Sequence, residues 1–185
     1  MDQIIFRPRN VDLSRSPLRG QVDDETFVLG AFNPGLTRLP NGNLLLMVRV
    51  AEALKRPVRD DHVAILRWAN GRFQIDRHPK DNIDVSDPRE LRITSGLHRT
   101  IILTSISWLL PVELSPDGSR IIAEHYDRAI PPRAKYQEYG VEDPRISRVD
   151  GRYLMTCCSV SAERLCTCLY TSDNALDWKL EGVVL

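Results

Sequence analysis

The sequence predicts an all-β fold, and within that class a β-propeller, on three observations. Apolar runs are short and rich in β-branched or aromatic residues, at 27–32, 44–50, 63–68, 101–110, 153–160 and 165–171. None keeps a 3.6-residue period for the ten or more positions that a helix needs. Between them stand Asn-Gly and Asp-Gly pairs, the residues that a tight hairpin requires at positive φ. Finally, the flanks of these turns echo one another, each turn leading into a basic residue and then an apolar one.

Taken in order, the first pair, Asn41-Gly42, joins the runs at 27–32 and 44–50. Residues 51–55 offer the only helix-like composition and are cut short by Pro57. Asn70-Gly71 turns the run at 63–68 back on residues that begin at Arg72. Residues 77–90, with Pro79, Pro88 and several Asp, read as a loop. The run at 101–110 leads to Asp117-Gly118. Residues 129–139, carrying Pro131 and Pro132, form a second loop. Asp150-Gly151 then joins a short strand to the run at 153–160, which leads on to the run at 165–171. A repeated meander of this kind fits blades around an axis, and an antiparallel sandwich stays open as the alternative. With blades of about 40 to 45 residues, four just fit in the chain. The expectation is one domain over 1–185, its ring incomplete at the apolar end 182–185.

Composition narrows the function. The chain has 185 residues, with 25 Lys plus Arg against 25 Asp plus Glu. A net charge of zero speaks against nucleic-acid or membrane-surface partners, which select for basic excess. With 42% hydrophobic and 27% charged residues, the chain can build its own core. No apolar stretch reaches the roughly 20 residues of a membrane span, and the N-terminus lacks a signal-peptide pattern, so a cytoplasmic location is expected. Cys157, Cys158, Cys166 and Cys168 lack the CxxC knuckle of zinc sites and read as small apolar residues of two strands. His62, His78, His98 and His125 are scattered, as surface or hairpin side chains would be.

The most unusual local feature is Gly140-Val141-Glu142-Asp143-Pro144-Arg145-Ile146. In extended chain, neighbouring Glu142 and Asp143 point to opposite faces, so they act on one ligand only where the backbone turns between them. The structural alternative is an ion pair of either carboxylate with Arg145.

This segment, with Asp150-Gly151-Arg152-Tyr153-Leu154-Met155-Thr156 and Tyr170-Thr171-Ser172-Asp173 before Trp178, resembles the signature region of glycoside hydrolase family 130. That family comprises inverting β-mannoside phosphorylases and related β-mannosidases. Phe32-Asn33-Pro34-Gly35, the strand-borne Arg49, and Thr104-Ser105-Ile106-Ser107 ahead of Ser115-Pro116-Asp117-Gly118 are similar to upstream family elements in the same order. The resemblance implies a five-bladed propeller that cleaves β-mannosides with inversion, by phosphorolysis or hydrolysis. It implies Asp143 as general acid, its proton passing through a sugar hydroxyl. Asn33 and Arg49 would bind mannosyl hydroxyls, Ser105 would join the same pocket, and Arg145 would orient Asp143. No cofactor or metal is implied, only inorganic phosphate as co-substrate of a phosphorylase, and the partner is a small oligosaccharide.

Departures accompany the match. Trp108 stands where many relatives carry His, and its period-2 kinship with Ile106 and Leu110 makes it core. The acidic residue after Arg49-Val50 is displaced to Glu52. The basic phosphate ligands of later blades fall beyond Leu185. A second function class therefore stands beside the enzyme: an inactive partial propeller that binds glycan or serves as an assembly module. Its open strand edges would pair with another copy or a companion chain. In a propeller, Asn33, Arg49 and Asp143 should meet at one depression.

Overall fold

The computed structural model describes residues 4–93 and 100–184. His98 and Leu185, on which two of the expectations fall, lie outside them. Among the described residues thirteen strands follow one another: β1 (Thr26–Arg38), β2 (Leu44–Leu54), β3 (His62–Ala69), β4 (Arg72–Pro79), β5 (Ile83–Asp84), β6 (Glu90–Ile93), β7 (Thr100–Leu103), β8 (Ser105–Leu114), β9 (Ile121–Glu124), β10 (Gly140–Val149), β11 (Arg152–Val160), β12 (Leu165–Ser172) and β13 (Lys179–Val183). Short 3₁₀ turns are the only helical elements among the described residues.

All four Asn-Gly and Asp-Gly pairs are hairpin turns, joining β1 to β2, β3 to β4, β8 to β9 and β10 to β11. At Asn70-Gly71 and Asp150-Gly151 both residues take positive φ, the signature of a type I′ turn. Residues 51–55 fall mainly in β2, where tertiary pairing with β8 overrides their helix propensity. The expected loop at 77–90 is in part ordered. β4 continues to Pro79, which ends the strand where a missing N–H does least harm, and β5 follows one turn later. The loop at 129–139 is irregular but for a bridge at Ile130 and a single 3₁₀ turn.

Strand pairing resolves into two four-stranded antiparallel meanders, β1-β2-β8-β9 and β10-β11-β12-β13, with β3-β4 and β5-β6-β7 forming separate sheets inserted between β2 and β8. The meanders meet through one parallel bridge, Gly140 to Ser107. Gly140 has φ 120, and a Cβ there would lie 2.2 Å from the Ser107 carbonyl oxygen, so only glycine lets the two strands come so close.

Packing explains the near-continuous apolar run of β8, which is buried on both faces. One face, with Ile106, Trp108, Leu110 and Val112, joins Val48 and Val50 in a core closed by β3, β4 and the N-terminal segment. The other contributes Leu109, which with Leu45 and Met47 packs on Val141, Tyr153, Met155, Cys157, Cys168 and Tyr170 of the second meander. This face-to-face apolar seam is what stacks one blade on the next. Trp108 is core, as its periodicity predicts, and its indole N–H donates to Glu52 at 3.1 Å. Glu52, itself buried, also accepts from Ser16 and Thr26, which ties the N-terminal segment to β2. The four cysteines are free thiols on β11 and β12, two of them buried.

Candidate active site

The first strands of the two meanders, β1 and β10, carry matching interruptions. Asn33-Pro34 breaks the register of β1 between Phe32 and Gly35, and Asp143-Pro144 breaks that of β10 between Glu142 and Arg145. Asn33 has φ 47 and Asp143 φ 49, left-handed conformations that Asn and Asp tolerate best among residues with a Cβ. Backbone strain of this kind concentrates at functional sites. A Cβ at Gly35 would lie 2.9 Å from the Pro144 carbonyl oxygen, so glycine lets one bulge nest against the other.

The bulge in β10 supplies the turn that adjacent carboxylates need to reach one partner. That partner is Arg49, not Arg145. Arg49 Nη2 donates to Glu142 Oε1 at 2.6 Å and Nη1 to Asp143 Oδ1 at 3.0 Å. Its Nε donates to Ser107 Oγ at 3.1 Å, and the Ser107 hydroxyl donates in turn to Glu142 Oε1 at 3.1 Å. The guanidinium carbon sits 4.8 Å from the centroid of the Phe32 ring. Asn33 Nδ2 completes the cluster by donating to Asp143 Oδ1 at 3.0 Å.

Local sequence explains these placements. Leu45, Met47 and Arg49 share one face of β2, and Leu109 and Ser107 share the facing side of β8, so Arg49 and Ser107 form the polar end of the apolar seam. Arg49 pairs across the strands with Leu109, and Ser107 is its diagonal neighbour.

Burial separates the two carboxylates. The Glu142 side chain is 13% exposed and that of Asp143 39%. Burial pushes the Glu142 carboxyl above its ordinary range, and Asp143 adds repulsion, against the pull of Arg49 and Ser107. At Asp143 burial acts in the same sense, but the bonds from Asn33 and Arg49 and the charges of Arg49 and Arg145 outweigh it and hold the carboxyl below its ordinary range. The two neighbouring carboxyls are thus pushed in opposite directions, Glu142 up and Asp143 down, by the difference in their surroundings.

Of the residues singled out in the sequence, Asn33, Arg49 and Asp143 come together. Ser105 does not join their hydrogen bonds. It sits opposite Ala53, two residues along β8 from Ser107, which occupies the place by Arg49. Arg145 is exposed and donates to the Pro144 carbonyl at 3.0 Å, reaching Asp143 through its charge alone. His62 and His125 are hairpin-end side chains that contact Asp61 and Glu113. No group of ligands able to hold a metal ion occurs among the described residues. A cleft of about 490 Å³ lies elsewhere, between the β3-β4 turn and the β11-β12 turn, and Asp143 does not line it.

A family model described as beta-1,4-mannooligosaccharide phosphorylase, of the Glyco_hydro_130 family, matches residues 97–185. The beta-1,2-mannobiose phosphorylase of Listeria innocua is 29% identical over 161 residues, spanning 84% of this chain and 44% of that protein. The solved complex of Listeria innocua beta-1,2-mannobiose phosphorylase with beta-1,2-mannobiose superposes with a TM-score of 0.74 at 26% identity, over 97% of this chain and 48% of that one. The chain therefore spans about half the length of the relatives it matches. The likeness carries the propeller architecture, of which the described residues form stacked blades and no closed ring.

Proposed function

We propose that this chain, kin to glycoside hydrolase family 130, contributes the acid side of an active site that cleaves β-mannosides by phosphorolysis with inversion. The observation that carries the reading is the bracketing of one partly exposed carboxylate, Asp143, by Asn33 and Arg49 from the neighbouring blade. Both brackets are donors. They suit the hydroxyls of a mannosyl unit as well as they suit the carboxylate they now hold.

The chemistry follows from that geometry. A sugar seated over Asp143 excludes water and diverts Asn33 and Arg49 to its hydroxyls, so burial gains over hydrogen bonding and the carboxyl takes up a proton. That proton moves, by way of a sugar hydroxyl, to the glycosidic oxygen as the bond from the anomeric carbon to that oxygen breaks. Inorganic phosphate, attacking from the opposite face, forms the new bond to the anomeric carbon, and mannose 1-phosphate of inverted configuration leaves with the free second sugar. The exposed Arg145 guanidinium adds positive potential beside the carboxylate. A β-1,2-linked mannobiose is the substrate to try first, since the Listeria innocua relative is named for it, and a β-1,4-linked one follows from the description of the family model.

The test incubates the protein with β-mannobioses of defined linkage, with and without phosphate, and follows mannose 1-phosphate. Phosphate-dependent product is the expected result. Free mannose released at equal rates with or without phosphate would replace phosphorolysis by hydrolysis.

A further inference from the structure

Arg49 is anchored at the cluster from several sides. Its three terminal nitrogens each have an assigned acceptor, on Ser107, Glu142 and Asp143, and Phe32 covers its flat face. Two of those acceptors lie deeper than Asp143 and do not depend on ligand. Ser107 is fully buried, and its backbone is pinned by the contact with Gly140. Its single proton has one direction to go, because its oxygen already accepts from Arg49 Nε and its hydroxyl donates to Glu142. Ser107, Arg49 and Glu142 thus close a three-membered ring of hydrogen bonds, from which only Arg49 Nη1 projects to Asp143.

We infer that Glu142 and Ser107 are positioning residues, which hold the Arg49 guanidinium so that one N–H and only part of its charge fall on Asp143. The inference rests on the acid role proposed for Asp143 and deepens it. A single cation shared by two carboxylates neutralises neither, and an acid must not be stabilised so far as an ion that it never regains its proton. Glu142, by drawing off half of the fork, keeps Asp143 within reach of protonation. The charged or titratable groups that face Asp143 are Arg49 from β2, Glu142 and Arg145 from β10, and the thiols Cys157 and Cys158 from β11. Asn33 from β1 and Ser107 from β8 complete the surroundings as neutral donors.

The experiment follows the titration of the Asp143 carboxyl by carbon-13 NMR in the intact chain, for Glu142→Gln, Ser107→Ala and Ser107→Thr. Loss of the Glu142 charge delivers the whole guanidinium to Asp143, and its midpoint should move to lower pH by about one unit. Ser107→Ala should broaden or shift the same resonance by freeing Arg49, and Ser107→Thr, which keeps the hydroxyl, should restore it. Unfolding curves taken in parallel separate these effects from a general loss of structure. An Asp143 midpoint unchanged in folded Glu142→Gln and Ser107→Ala would overturn the inference. Because this readout needs no turnover, absence of phosphorolysis in the parent protein would instead count against the proposed reaction.

Discussion

Asn33 donates its side-chain amide to the carboxylate of Asp143 across 3.0 Å, although 110 residues separate them. Each sits at φ near 50°, each precedes a proline, and each breaks the first strand of its own meander. The same local device, used twice, brings one side chain from each blade to a common point. Replacing Asn33 by Asp would set two carboxylates there. Like charges so close share a proton, so the Asp143 midpoint should rise, and the basic limb of a pH–rate profile should rise with it. Asn33→Ala should move it the same way by a smaller amount. A midpoint that fell in either variant would contradict the role given to this bond.

Asp143→Asn keeps size and hydrogen-bonding capacity and removes the proton-donating group. Turnover on a β-mannobiose should fall by roughly 10²- to 10⁴-fold with the fold intact, measured as initial rate beside circular dichroism. Retained turnover would show that another group supplies the proton.

Gly140→Ala tests the seam between blades. Its Cβ would meet the Ser107 backbone, and φ 120 is a conformation that L side chains rarely adopt. Rigid backbone on both sides cannot yield, so a loss of several kcal/mol is expected, at or above the ~1–3 kcal/mol typical of strained positions. Urea unfolding measures it. A change under about 0.5 kcal/mol would mean that the strands meet differently.

Trp108→Phe removes the indole N–H that Glu52 accepts, leaving Ser16 and Thr26 to serve that buried carboxylate. The expected cost is about 1–3 kcal/mol, chiefly from the weakened solvation of Glu52. Restoration of stability in Trp108→Phe by Glu52→Gln would support this account, since the amide needs fewer donors than the charge.

Asp117 gives the clearest acid-side dependence. The Ser115 hydroxyl, then the backbone N–H and hydroxyl of Ser119, hold its carboxyl down to about 2 from an ordinary 3.8. A carboxyl depressed on folding stabilises above its unfolded value and loses that contribution as pH falls through the folded one. The β8-β9 turn should therefore loosen as pH falls from 3.8 to about 2. The Asp117 resonance titrating near its ordinary value would refute the capped-turn geometry.

Much of the architecture was legible in the chain alone. The Asn-Gly and Asp-Gly pairs mark four of the hairpin turns because φ above zero is a local steric demand that few residues satisfy. The two-sided burial of β8 agrees with its near-continuous apolar run, and Trp108 could be placed in the core from the parity of Ile106 and Leu110. Asn33, Arg49 and Asp143 could be singled out by their resemblance to a known pattern. What the sequence could not reveal is which partner each polar group takes. Arg145, the nearest cation along the chain, turned to a carbonyl, while Arg49, 93 and 94 residues before the two acids, holds both of them. Ser107 rather than Ser105 stands by Arg49, since the two serines share a face and only the β2-β8 register tells them apart. Residue identity sets local backbone preferences, which act over a few bonds. Electrostatic partnership depends on distances of about 3 Å between distant segments, and those are decided only when apolar faces pack and fix the register.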